Sequence, residues 1–283
     1  MTQISKFILR ATSAAAFIAL TPAAFAAPAI DANIELDSTY NSGSSLGSAK
    51  TGMDQGGRVE LNVSQKAGTD YFVAGRASLL AKKDGTAGTD DMWAQIGSNS
   101  GSIKLGRFEA ADLFPIAQDT VVNHAGTVYG TNSLRGRSEK FHAAGMFNLS
   151  SALSFELGLV DATDTALGAT GVKGTTVGYS ANGMALNLNF AQGKQDAAAD
   201  NKMTSMAING KIGAFAAGLV SAKNEQVGGD LQITTVHASY NIPLFGVAGA
   251  SVTPAISHST VKDSVLNTSK DVDAFRVRIN YAF

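Results

Sequence analysis

The sequence predicts an all-β fold, a transmembrane antiparallel up-and-down β-barrel, and three observations predict it. Apolar and polar residues alternate with period two along most of the chain. The connections between the alternating segments are short and long by turns. Beyond the first 26 residues no run of 18 apolar residues occurs, so no helix is apolar enough to cross a bilayer. Composition agrees: 45% of the 283 residues are hydrophobic and only 16% charged, against roughly 25% charged in an average soluble protein. Lys and Arg number 22 against 23 Asp and Glu, so there is no basic surplus for binding nucleic acid. No cysteine is present, which excludes disulfide scaffolds and thiolate metal sites.

The N-terminus reads as a secretory leader. Lys6 and Arg10 supply its positive region, Ala11 to Leu20 its short apolar core, and Ala24-Phe25-Ala26 a small-residue cleavage site. Cleavage after Ala26 divides the chain into a leader, 1–26, and one barrel domain, 27–283. No Cys follows the site, so no lipoprotein anchor is expected.

Period two places one face of a strand in an apolar medium and the other in a polar one. In Arg58-Val59-Glu60-Leu61-Asn62-Val63-Ser64 every odd residue is apolar. The same alternation marks Leu153, Phe155, Leu157 and Leu159, then Met184, Leu186, Leu188 and Phe190, and finally Phe275, Val277, Ile279, Tyr281 and Phe283. Fourteen strands follow: 32–40, 58–66, 70–82, 91–98, 101–107, 139–149, 153–161, 173–180, 184–191, 203–212, 214–223, 231–240, 247–257 and 272–283. At about 10 residues per tilted spanning strand, the chain has room for sixteen as well. Short turns at 67–69, 99–100, 150–152, 181–183, 213 and 241–246 alternate with long loops at 41–57, 83–90, 108–138, 162–172, 192–202, 224–230 and 258–271. An outer-membrane barrel has this asymmetry between its two rims. A soluble sandwich also alternates, but its polar face would carry many Lys and Glu; here that face is mostly Ser, Thr, Asn and Gly. Tyr40, Tyr71, Trp93, Phe141, Tyr179, Phe190, Phe215, Tyr240 and Phe275 lie near strand ends, as interfacial aromatic girdles do.

Phe283 closes an alternating strand with Tyr281 two residues before it, which resembles the C-terminal strand that the barrel-assembly machinery recognises. With the leader, the pattern is similar to that of the Gram-negative general porins, particularly those of β-proteobacteria. Leu105-Gly106-Arg107-Phe108-Glu109, running into Ala110-Ala111-Asp112-Leu113-Phe114-Pro115, resembles the end of the fifth strand and the start of the third outer loop in that family. The resemblance implies location in the cell outer membrane, a homotrimer, and passive diffusion of ions and small hydrophilic solutes. It also implies a third loop folded into the lumen. The family usually has sixteen strands and longer chains.

Candidate pore residues follow from alternation. Arg58 and Arg76 point to the lumen, and a turn centred on Ala67 sets them opposite one another. Arg276 and Arg278 point inward on the last strand, Lys104 inward on the fifth, and Arg107 ends the fifth. Glu109, Asp112 and Asp119 lie on the loop at 108–138, which at about thirty residues is long enough to expect a function. Bases on the wall and acids on the loop would set a transverse field across a narrow pore; alternatively the arginines pair locally with Glu35, Asp37 and Glu60. His142 and His237 fall at lumen positions and read as solvated. No nucleotide, zinc or calcium motif occurs, and the histidines share no metal-ligand spacing, so no cofactor, metal or active site is expected. Two other readings compete with a general channel. In a sugar-preferring one, Phe108, Phe114 and Tyr129 would stack on sugar rings; the other is a plugged barrel serving as anchor or adhesin.

Overall fold

Each long strand of the computed structural model lies antiparallel to the long strand next to it in the chain, and the first pairs with the last. The residues described are 27–42, 52–82, 84–110, 142–160, 170–194, 202–226, 228–264 and 266–283. The strands are β1 (Ala29–Ser42), β2 (Gly52–Ala67), β3 (Tyr71–Lys82), β4 (Ala87–Ser98), β5 (Gly101–Arg107), β6 (His142–Asn148), β7 (Leu153–Val160), β8 (Thr170–Ala181), β9 (Met184–Lys194), β10 (Lys202–Ile212), β11 (Phe215–Gln226), β12 (Gly229–Tyr240), β13 (Ile242–Pro243), β14 (Ala250–Asp263) and β15 (Thr268–Ala282). The two-residue β13 is a rung beside β14 in the turn that follows β12. Without it, fourteen strands close the ring, since β12 pairs with β14 and β1 with both β2 and β15. Among the described residues the barrel has fourteen strands, not sixteen.

Alternation decides what each face meets. Ile34, Leu36, Val59, Leu61, Val63, Ile96, Ile103, Leu105, Leu186, Leu188 and Ile208 are exposed on the outer face. In water such an apolar surface would be unstable; in a bilayer it is the required lipid contact. Phe215 lies opposite Tyr240, both exposed at strand ends as girdle residues. Tyr40, near the end of β1, lies opposite Phe275, which is exposed at the middle of β15 because that strand starts earlier than its periodicity predicts. Trp93 departs from the expected girdle: it alternates with exposed Met92 and packs on the lumen side against the inner apolar cluster.

Several strands run further than their periodicity predicts. β14 continues to Asp263 and β2 begins at Gly52. Beyond the apolar band the polarity of the two faces reverses: His258, Thr260 and Asp273 are on the outer face, while Val261, Val272, Leu231 and Ile233 are buried within. A polar outer face above the lipid still pairs as a strand, but it no longer reads as apolar-out, so the sequence pattern loses it.

The β2–β3 hairpin corrects the expected register. Ala67 pairs with Tyr71, so the turn is 68–70 and not 67–69. Arg58 then lies opposite Leu80, and Arg76 opposite Asn62.

The inner wall differs around the ring. From β6 to β11 it carries the buried cluster Ala144, Val160, Ala191, Met203, Ala207 and Val220, into which Phe108 packs. Below it runs a polar ladder. Asn189 donates to Thr176 Oγ1 (2.9 Å), Asn209 donates to Asn189 Oδ1 (3.4 Å), and His237 Nε2 lies 3.0 Å from Asn209 Oδ1. Asn209 is on β10 and His237 on β12, so their bond crosses β11 over Gly218, the register partner of both. His237 and His142 face the lumen as expected, but both are buried, not solvated. A Cβ at position 218 would strike Asn209 Oδ1, His237 Nε2 and the backbone carbonyl of Ile208. Gly218→Val should therefore cost about 1–3 kcal/mol through overpacking, read as a lower unfolding temperature of the heat-modifiable band on gels.

Candidate functional site

Antiparallel pairing sets acids beside bases on the lumen wall. Glu35 on β1 is the register partner of Arg58 on β2, and Asp37 that of Arg278 on β15. Arg58 reaches three carboxylates: Glu35 Oε2 at 2.9 Å, Glu60 Oε1 at 3.2 Å and Asp90 Oδ2 at 3.2 Å. Arg76 meets Glu60 Oε1 at 2.8 Å and Asp91 Oδ2 at 3.6 Å, and donates to Asn62 Oδ1 at 2.7 Å. Arg278 grips Asp37 with two bonds, Nε to Oδ1 at 2.8 Å and Nη2 to Oδ2 at 2.9 Å, and meets Glu35 Oε1 at 3.2 Å. Arg276 bonds Thr39 Oγ1 at 2.9 Å and Asp37 Oδ2 at 3.3 Å. The result is a belt of alternating charge from β15 across β1, β2 and β3 to β4.

This is the local pairing with Glu35, Asp37 and Glu60 that the sequence offered as the alternative to a basic wall facing an acidic loop. The wall carries its own acids, because each arginine faces a carboxylate on a neighbouring strand. A planar guanidinium can bond several carboxylates in this way, which an ammonium cannot match. Of the loop acids, Glu109 lies half-buried at the loop root; Asp112 and Asp119 lie outside the described residues, as do residues 111–141 as a whole.

Lys104 behaves differently from the arginines. Its ammonium lies 4.2 Å from the Trp93 ring centre and 4.3 Å from that of Phe108, a double cation–π contact. Arg76 approaches the same indole at 5.7 Å. Phe108 also meets His142 edge-on, with ring centres 6.1 Å apart. Arg107 donates from Nε to the Asp90 carbonyl at 2.7 Å. Phe108 and Ala110, at the start of the long loop, are thus packed on the lumen side of the wall.

Asp90, Asp91 and the lumen-facing Trp93 were not legible as site residues. A strict period of two sends Asp90 and Asp91 to opposite faces, and a loop was expected through residue 90. The available signal was two consecutive acids at the start of an alternating strand, a pattern that regular alternation cannot bury. No group of three or more metal-ligating side chains occurs among the described residues.

A closed barrel, apolar outside and charged on part of its lumen wall, defines a porin-type outer-membrane protein, and this chain has that fold. Residues 25–146 match the family of the porin-like glycoporin RafY. Among solved structures, Salmonella typhi OmpF in complex with daunomycin is similar at 14% identity over 90% of this chain and 97% of that one, with a TM-score of 0.60. The trimer form of Vibrio cholerae OmpT is similar at 12% identity over 91% of this chain and 100% of that one, with a TM-score of 0.56. No curated protein matches the sequence.

Proposed function

We propose that the protein is a passive outer-membrane channel through which ions and small hydrophilic solutes diffuse, with selectivity set by the lumenal charge belt. The observation that carries this reading is the belt itself: four arginines and their carboxylates on the inner wall of a closed fourteen-strand barrel. Such a row of charges is costly to line up and is of use where water and ions pass. Arg58, Arg76, Lys104, Arg107, Arg276 and Arg278 supply the wall of the constriction; Glu109, Asp112 and Asp119 supply the loop. The inward packing of Phe108 and Ala110 supports a loop that narrows the lumen. Export by leader 1–26, assembly through the strand ending in Phe283 and a homotrimeric state complete the proposal. The trimer form of OmpT supports the last of these.

Conductance of the purified protein in planar bilayers tests the reading, and current steps in threes report the trimer. Deleting residues 117–130 should enlarge the single-channel conductance and admit larger solutes; an unchanged conductance would place that segment outside the pore. A sugar-preferring channel is the second reading, favoured by the match to a glycoporin family. Block of the current by added oligosaccharide, absent with salt alone, would select it.

A further inference from the structure

We propose that the bulge formed by Ser78, Asp90 and Asp91 is the positioning element of the charge belt, holding Arg58, Arg76 and Arg107 in place and so setting the ion selectivity of the channel. The proposal rests on the channel reading above. Between β3 and β4 the register passes from Ala77 opposite Met92 to Leu79 opposite Thr89, so Ser78 alone faces two residues, Asp90 and Asp91. One extra residue in one strand is a β-bulge, a device that re-aims side chains. Here it buries two consecutive carboxylates, with Asp90 1% and Asp91 6% exposed. On a regular strand one of the two would face lipid.

Ser78 anchors both. Its hydroxyl donates to Asp90 Oδ2 at 3.4 Å and accepts from the Asp91 backbone N–H at 2.8 Å. The bulge then distributes three acceptors to three cations. The Asp90 carboxylate takes Arg58, the Asp91 carboxylate takes Arg76, and the Asp90 carbonyl takes Arg107 Nε. Arg107 immediately precedes Phe108, so one short element ties the arginine wall to the root of the long loop. An arginine released from such partners regains its rotamer freedom and extends into the lumen, where it repels cations and obstructs the path.

Ser78→Ala tests positioning without changing any charge, and Asp91→Glu keeps the charge while moving the carboxylate by one methylene. Both should shift the reversal potential in a salt gradient toward anions and raise the open-channel noise. Asp91→Asn should shift it further in the same direction. Asp70→Asn, which removes a carboxylate bonded to Asn99 in the turns away from the belt, should leave the noise unchanged. Heat-modifiable migration confirms that each variant is folded, and if one of the Asp91 variants fails to assemble, Ser78→Ala decides the matter. A wild-type protein that passes no current overturns the channel reading, and this assignment with it. A conducting wild type whose Ser78→Ala and Asp91→Glu variants match it in reversal potential and noise overturns the assignment alone.

Discussion

Arg58→Ser is expected to turn the channel strongly toward cations and to cost the barrel about 3–5 kcal/mol, the usual consequence of removing one partner from a buried ion pair. Three buried carboxylates meet this guanidinium, those of Glu35, Glu60 and Asp90; Glu35 shares it with Arg278 and Glu60 with Arg76. Without it three carboxylates share the charge of the two remaining arginines, and the surplus negative charge faces the lumen. Reversal potential in a salt gradient measures the first effect; the unfolding midpoint in urea, followed by gel migration, measures the second. Adding Asp90→Asn to Arg58→Ser should recover part of the stability and move the reversal potential back toward wild type, because paired residues couple non-additively. If Arg58→Ser leaves the reversal potential where it was, Arg58 does not line the conducting path.

Gly106→Val should be the most disruptive single change near the loop root. Gly106 has a φ of +129°, a conformation that β-branched residues avoid. A Cβ there would also meet the Met92 carbonyl oxygen and lie 2.7 Å from the Trp93 Cα, both of them backbone atoms that cannot rotate away. Strain and overpacking together should cost about 3 kcal/mol or more. The damage falls between β4 and β5, where Arg107 reaches Asp90 and Lys104 sits between Trp93 and Phe108. The expected result is a barrel that assembles in low yield, with the surviving fraction showing unstable conductance levels. Normal yield and a steady wild-type conductance would show that the kink at Gly106 is dispensable.

Much of the site lies within reach of alternation. The inward orientation of Arg58, Arg76, Lys104, Arg276 and Arg278 follows from counting by two, and the structure places all five side chains on the lumen wall. The partners do not follow from counting. Arg76 bonds Asn62 because the hairpin is centred on Thr69, two residues beyond the Ala67 that would have set it opposite Arg58. A turn of three polar or small residues can be centred at either place, and only pairing of both strands with their other neighbours selects one.

Sequence by itself determined the architecture of this protein: an antiparallel barrel of amphipathic strands, with short turns at one rim and an outer face fit only for lipid. That much depends on a period of two and on turn residues, which are local. The choice of fourteen strands over sixteen came with the closing of the ring. Tertiary structure decided what the lumen wall is made of. The Ser78–Asp90–Asp91 bulge, the crossing of Asn209 to His237 over Gly218 and the lumenal position of Trp93 each depend on residues from two or more strands. Register between strands is a non-local quantity, settled by the whole ring closing on itself, and no single strand carries it.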